Sequence, residues 1–100
     1  MQKRLVWLLV AALVGFASAQ TPPVSKVGSL MAFTGALAEF GPAINNGVML
    51  AVDELNAAAS AVLGGPIVEL VTEDSATVPS VGVDRARKLV NTDGVVAIVG

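Results

Sequence analysis

The acidic side chains are the main candidates for chemistry in this sequence, because its 100 residues include no histidine and no cysteine. A histidine-based triad, a histidine zinc site, a thiolate metal site and a disulfide are therefore excluded. The adjacent acids Asp53 and Glu54 fall within a predicted helix, where neighbouring side chains point in different directions. We expect both carboxylates to be solvated rather than to work as a general acid–base pair.

Three other acids, Glu69, Glu73 and Asp74, lie in or just after a predicted strand and could hold a divalent cation. Solvation or helix capping explains them better, so we predict no metal and no cofactor. The sequence also lacks a dinucleotide fingerprint after its first strand and the Lys-Ser/Thr pair of a phosphate-binding loop. No residues pair as nucleophile and base, and we predict that the protein is not an enzyme.

The loop of residues 32–41, AFTGALAEFG, is the best candidate for a binding site. It follows a predicted strand, and in an open α/β sheet ligands bind outside the carboxyl ends of the strands. Gly35 and Gly41 can take backbone conformations that other residues resist. Phe33 and Phe40 could pack against the next helix or form the aromatic wall of a pocket, and the sequence leaves both interpretations open.

The elements that would position this loop alternate between strands and helices. Short apolar segments predict strands covered on both faces, as in parallel sheets, and Pro42 is favoured at the first position of a helix. Their order predicts an α/β fold, a βαβαβ unit with a parallel sheet and right-handed crossovers. The predicted strands are residues 26–31, 67–73 and 95–99, and the predicted helices are residues 42–58 and 80–91.

Helical spacing predicts which side chains face the sheet. Gly47 lies within the first predicted helix, where a glycine lowers helix stability by ~1 kcal/mol relative to Ala. A close approach of the helix to the sheet at this residue would explain why a glycine is present. A turn is predicted at residues 60–66, and Ser75 or Thr77 could cap the second helix. The side chains expected to point inward are Ile44, Val48, Ala51, Val52 and Leu55 in the first helix and Val83, Ala86, Leu89 and Val90 in the second.

The amino terminus predicts a secretory signal peptide. Two basic residues near Met1 are followed by residues 5–17, which have no charged or polar side chain. A membrane span needs ~20 apolar residues, and this shorter run ends in the small residues of an Ala-Ser-Ala cleavage site. No cysteine follows, so we expect export without a lipid anchor, to the periplasm or else to the medium. The predicted segments are a signal peptide at residues 1–19, cleavage between Ala19 and Gln20, and a leader at residues 20–25.

Charge excludes one class of partner. After residue 20 the chain keeps all 8 acidic side chains but only four of the 6 basic ones, so this part carries a net charge of −4. It has no basic patch for nucleic acid, and that class of partner is excluded. The residues after the signal allow at most one domain.

The segment KVGSLMAFTGALAEFGPAINNGVMLAVDELNA resembles the opening of the bacterial periplasmic leucine/isoleucine/valine-binding proteins. The likeness continues through GGPIVELVTEDS and ARKLVNTDGVVAIVG. The resemblance implies the amino-terminal part of lobe 1 of a type I periplasmic binding fold, with residues 26–100 as a partial domain. Family members are longer and close their ligand cleft with a second lobe. Their main ligand loop would begin at Gly100.

The same resemblance implies a solute-binding protein that delivers branched-chain or other amino acids to an ABC transporter. Its partners would be the small-molecule ligand and the transporter's permease, through which alone it would meet the membrane. The aromatic position of the family's first loop carries over onto Phe40, where leucine-binding members often have Tyr. The ligand-binding residues expected in this chain are Thr34, Gly35, Phe40 and Gly41.

Two alternatives remain open. The same fold could bind amides, urea or aromatic acids, and a sensor ectodomain could bind a ligand and signal. The cleavable signal peptide argues against the sensor, since a sensor needs a membrane tether. The sequence does not specify the ligand.

Overall fold

The computed structural model describes residues 20–100. The predicted signal peptide and the Ala19 side of its cleavage site lie outside this part of the chain. The predicted α/β fold with a parallel sheet is confirmed, and the strand boundaries differ from the prediction by one or two residues. The elements are β1 (Ser25–Met31), α1 (Gly41–Leu63), β2 (Val68–Asp74), α2 (Pro79–Lys88), a π-helical turn (Leu89–Asp93) and β3 (Ala97–Val99).

β1 is the central strand of the sheet, whose order is β2-β1-β3, and both pairings are parallel. β2 lies on one side of β1 and β3 lies on the other. The connection from β1 to β2 and the connection from β2 to β3 therefore run in opposite directions across the sheet. Right-handed crossovers then place α1 and α2 on opposite faces of the sheet. Two adjacent residues of β1 agree with this, because Ser29 bonds to Asn45 of α1 while Gly28 faces Leu89 of the π-helical turn.

α1 is longer than predicted at its carboxyl end. The prediction of a turn from Ser60 was wrong, because the helix continues to Leu63. The segment AAASAVL contains no glycine or proline, and its alanines have high helix propensity. The helix ends at Gly64, which takes the left-handed conformation (φ 85°) and donates its N–H to the Ser60 carbonyl oxygen.

The face that α1 turns to the sheet also differs from the prediction. Its buried residues are Gly41, Asn45 and Ala59. Of the predicted inward stripe, Val48 and Val52 are half-buried, whereas Ala51 is exposed, Ile44 is 55% exposed and Leu55 is 47% exposed. Two asparagines of α1 bond to the sheet, and the apolar stripe lies to one side of these contacts.

Asparagine side chains make those hydrogen bonds at two positions along α1. Ser29 Oγ donates to Asn45 Oδ1 at 2.6 Å, and both side chains are buried. Asn56 Oδ1 accepts the N–H groups of Ile67 and Val68 at 3.0 Å each, and its Nδ2 donates to the Val68 carbonyl at 2.8 Å. Asn56 therefore supplies partners for the backbone where β2 begins.

α2 begins without the predicted cap. Its N-cap is Val78, in an extended conformation, and no side chain within residues 20–100 caps it. Neither Ser75 nor Thr77 takes that role, so the capping prediction was wrong. Of the residues predicted to face inward, Leu89 is fully buried, but Val83 and Val90 are about half exposed. Val90 lies within the π-helical turn, where the 3.6-residue repeat used for the prediction does not apply.

Across residues 20–100, no helix combines the length and the apolar character that crossing a membrane requires. α1 has 23 residues, but polar side chains interrupt it along its length.

Candidate functional site

Two loops meet at the carboxyl edge of the sheet, where β1 and β2 end. The first loop is residues 32–40, and the second loop is residues 75–78. Hydrogen bonds among Thr34, Asp74 and Thr77 join them, and we call these three residues the loop clasp. The clasp holds the predicted binding loop in a defined position at the edge where open α/β sheets bind ligands.

Asp74, the last residue of β2, is the centre of the loop clasp. Its Oδ1 accepts the N–H groups of Phe33 (2.9 Å), Thr34 (3.2 Å) and Ala76 (2.8 Å). Its Oδ2 accepts the Thr34 hydroxyl at 2.6 Å. One carboxylate thus satisfies backbone donors in both loops, and charge-assisted bonds of this kind are stronger than neutral ones.

These donors lower the pKa of Asp74 to about 2, the Thr34 hydroxyl contributing most and the Ala76 N–H next. The carboxylate is therefore ionised throughout the neutral and mildly acidic range. Because the folded pKa lies below the ordinary value of 3.8, the clasp adds stability above that pH. This contribution is lost as the pH falls through about 2.

Thr77 completes the loop clasp from the second loop. Its hydroxyl donates to the Thr34 carbonyl oxygen at 3.1 Å and accepts the Leu37 N–H at 3.1 Å. Both Ala76 (φ 51°) and Thr77 (φ 57°) are in the left-handed region. Such a conformation costs about 1–2 kcal/mol for a residue with a side chain, so the bonds to the first loop offset a local strain.

Two predicted site residues must be glycines because backbone atoms approach them closely. Gly35 has φ 84°, and a Cβ there would overlap the Ala76 carbonyl oxygen. A Cβ at Gly41 would overlap the Ala32 carbonyl oxygen. The first glycine lets the two loops touch, and the second lets the first loop turn directly into α1.

Phe40 is the predicted site residue that presents the most apolar surface at this edge. It is the N-cap residue of α1, and its side chain is 53% exposed. Its N–H donates to the Leu37 carbonyl at 3.0 Å, and its own carbonyl accepts the Ile44 N–H at 3.1 Å. The backbone of Phe40 is thus fixed while its ring stays accessible.

The three acids considered for a metal do not come together. Asp74 belongs to the loop clasp on the α1 face, while Glu73 points to the α2 face. There Glu73 pairs with Arg85 at 3.5 Å and with Lys88, which also contacts Asp93. Within residues 20–100, no group of three possible ligands is placed to hold a metal ion.

An apolar groove of about 500 Å³ runs beside α1. Its wall is the half-exposed stripe of α1 and its floor is the sheet, with Val27 and Val99. The close approach predicted at Gly47 was wrong, since a Cβ added there would meet no atom of residues 20–100 within 4 Å. Gly47 instead lines the groove.

The sequence predicts a loop after each of the first two strands, residues 32–41 and 74–79, but not the hydrogen bonds that join them. It assigns helix capping to Thr77 and a metal site or capping to Asp74, and neither residue has that role within residues 20–100. A polar residue directly after a strand, opposite a Gly-containing loop, was the available signal for the clasp. For the asparagines, the signal was spacing: Asn45 and Asn56 are eleven residues apart, which is close to three helical turns.

A parallel sheet between two helical layers, with joined loops at its carboxyl edge, defines an α/β protein of the kind that binds small ligands at that edge. The chain belongs to the periplasmic binding protein family, whose family model matches residues 24–100.

Its relatives include Leu/Ile/Val-binding protein homolog 7 of Brucella suis and of Brucella melitensis. Each is 38% identical over 100 residues, which is 100% of this chain and 24% of the relative. Leu/Ile/Val-binding protein homolog 3 of Brucella melitensis is 36% identical over 90 residues, 90% of this chain and 23% of the relative. The chain thus spans about a quarter of the length of these curated relatives.

Proposed function

We propose that the chain is part of an extracytoplasmic solute-binding protein that carries branched-chain or other amino acids to the permease of an ABC transporter. The observation that carries the proposal is the 38% identity, along the whole chain, to relatives named for leucine, isoleucine and valine binding. The geometry supports it, because the first loop is held at the carboxyl edge of the sheet with Phe40 accessible. Binding requires no catalytic group, so we propose that the protein is not an enzyme.

In this proposal the first loop supplies one wall of the ligand site. The half-exposed ring of Phe40 gives an apolar surface for an aliphatic side chain. Gly35 and Gly41 shape the loop by leaving room for the Ala76 and Ala32 carbonyl oxygens, and Thr34 fixes the loop through Asp74. The carboxylate and ammonium of an amino acid need polar partners once they leave water, and we assign most of these to parts of the protein beyond residue 100.

Calorimetry on the full-length protein tests the ligand. We expect saturable binding of leucine, isoleucine or valine. Urea, a short aliphatic amide and an aromatic acid are the comparison ligands, since the same fold could take them. Saturable binding of a comparison ligand without binding of any amino acid would replace the proposed substrate class.

Phe40→Ala in the full-length protein should weaken amino-acid binding about tenfold. Losing an apolar contact of this size removes about 1.5–3 kcal/mol when the group is fully buried, and tenfold corresponds to about 1.4 kcal/mol. Phe40→Leu should retain most of the affinity because it keeps an apolar surface. Val62→Ala is the matched control, since Val62 is exposed near the other end of α1. Unchanged affinity in Phe40→Ala would mean that the ring lies outside the ligand site.

We also propose export by a cleaved signal peptide. Mass spectrometry of the exported protein should give an amino terminus at Gln20. Ala19→Phe should block processing, because the cleavage site requires small residues, whereas Gln20→Ala should be processed normally. An exported protein that retains Met1 would contradict cleavage.

A further inference from the structure

The left-handed conformation of Thr77 is the least expected backbone feature of residues 20–100. β-Branched residues rarely adopt it, and Gly or Asn would fit φ 57° with less strain. The second loop does not need the Thr77 hydroxyl for its own turn, because the Val78 N–H donates to the Ser75 carbonyl at 3.0 Å. Nor does the hydroxyl cap α2, whose N-cap is Val78. Thr77 is strained, and its hydroxyl is not needed by its own loop or by α2. This combination indicates that the hydroxyl acts on another part of the protein.

The Thr77 hydroxyl bonds only to the first loop among the contacts within residues 20–100. It accepts the Leu37 N–H at 3.1 Å and donates to the Thr34 carbonyl at 3.1 Å. The Leu37 carbonyl in turn accepts the Phe40 N–H at 3.0 Å. Leu37 is therefore held on both sides, by Thr77 through its N–H and by Phe40 through its carbonyl.

Asp74 cannot replace this connection. Its four bonds fix Phe33, Thr34 and Ala76, which are the parts of the two loops next to the sheet. Residues 37–40 lie further out, and Thr77 provides their side-chain bond to the second loop.

We propose that Thr77 is a positioning residue: its hydroxyl holds the segment from Leu37 to Phe40 in place and thereby sets the affinity for the amino-acid ligand. The second half of this statement rests on the proposed function, in which Phe40 contacts the ligand. The first half concerns the protein alone. Thr77 itself does not touch the ligand in this proposal.

Two substitutions in the full-length protein separate the hydroxyl from the backbone strain. Thr77→Val keeps the β-branch and removes the hydroxyl, and Thr77→Ser keeps the hydroxyl. We expect Thr77→Val to weaken binding of leucine, isoleucine or valine about fivefold, as for loss of an ordinary hydrogen bond of about 1 kcal/mol. Thr77→Ser, which keeps the hydroxyl, should have an affinity within about twofold of the wild type.

A double-mutant cycle with Phe40→Ala tests whether Thr77 acts through Phe40. If it does, Thr77→Val should change the affinity little in the Phe40→Ala background, because the group being positioned is gone. Asn56→Ala is the control for general destabilisation, since it removes three hydrogen bonds at the opposite edge of the sheet. It should lower the melting temperature and leave the affinity unchanged. Additive effects of Thr77→Val and Phe40→Ala would overturn the positioning role.

Amide hydrogen exchange separates failure of this proposal from failure of the proposed function. The Leu37 and Phe40 amides should exchange at least about fivefold faster in Thr77→Val and at the wild-type rate in Thr77→Ser and Asn56→Ala. If the wild type binds no amino acid, the proposed function fails, and the exchange rates still decide whether Thr77 holds the segment. Unchanged exchange in Thr77→Val would overturn the proposal whatever the ligand.

Discussion

Gly41→Ala should destabilise the protein by about 3 kcal/mol or more, judged from the cost of overpacking a well-packed site. The added Cβ would overlap the carbonyl oxygen of Ala32, which belongs to the backbone and cannot rotate away. Either the first loop or the start of α1 must then shift. Because Phe40 lies between them, ligand binding should fall together with stability. Urea unfolding and calorimetry of the full-length protein measure the two effects.

Gly47→Ala is the matched control, since it makes the same chemical change six residues further along α1. A Cβ there would meet no atom of residues 20–100 within 4 Å, and the site is exposed. Ala is favoured over Gly within a helix by up to about 1 kcal/mol. We therefore expect opposite signs: Gly47→Ala stabilises while Gly41→Ala destabilises. Equal effects at the two positions would show that the contact with Ala32 does not constrain Gly41.

Leu89→Ala should cost about 3–4 kcal/mol, in the range measured for large-to-small changes at buried leucines. Leu89 is 0% exposed and lies against Gly28 on the α2 face of the sheet, and Ile98 lies beside the same glycine. Val90→Ala, at a residue that is 53% exposed, should cost much less. Urea unfolding of the two variants provides the measurement, and a small loss for Leu89→Ala would mean that the surrounding residues collapse into the space.

Gly28→Ala provides a second test of the same contact. Its Cβ would lie 3.0 Å from Leu89 Cδ1 and 3.4 Å from Ile98 Cγ1, so the single variant should be destabilised by overpacking. In the Leu89→Ala background that Cβ would occupy space the leucine has left. We expect the double variant to be more stable than the sum of the two single losses predicts. Strict additivity would mean that Gly28 and Leu89 do not share this space.

The order of the elements was predictable because it depends on local signals. Pro42 at the start of α1, Gly64 and Gly94 after helices, and β-branched residues in β2 each act within a few residues. The rotation of α1 was not predictable from its apolar stripe. The helix bonds to the sheet through Asn45 and Asn56, and Ile44 and Leu55 of the apolar stripe line an open groove and stay about half exposed.

The candidate site was predictable only in part for a related reason. Gly35, Phe40 and Gly41 lie in one loop, so sequence proximity brings them together. The Thr34–Asp74 and Leu37–Thr77 bonds join residues 40 apart in sequence. Such contacts depend on the parallel pairing of β1 with β2, which brings Met31 opposite Asp74. No local pattern specifies that register. The side chains of the loops that follow β1 and β2 gain their partners only once the sheet forms.

The two asparagine contacts of α1 together prevent the helix from rotating about its own axis. Eleven residues at about 100° each come to within about 20° of three complete turns, so Asn45 and Asn56 point in nearly the same direction. They are separated by about 16 Å along the axis, at 1.5 Å per residue. A helix held by one polar contact can pivot about it, and one held only by apolar packing can slide or rotate by small steps. Held at both points, α1 can turn about its axis only if hydrogen bonds to Ser29 and to the start of β2 break at the same time. The direction in which Ile44 and Leu55 project is therefore fixed before any further part of the protein packs against them.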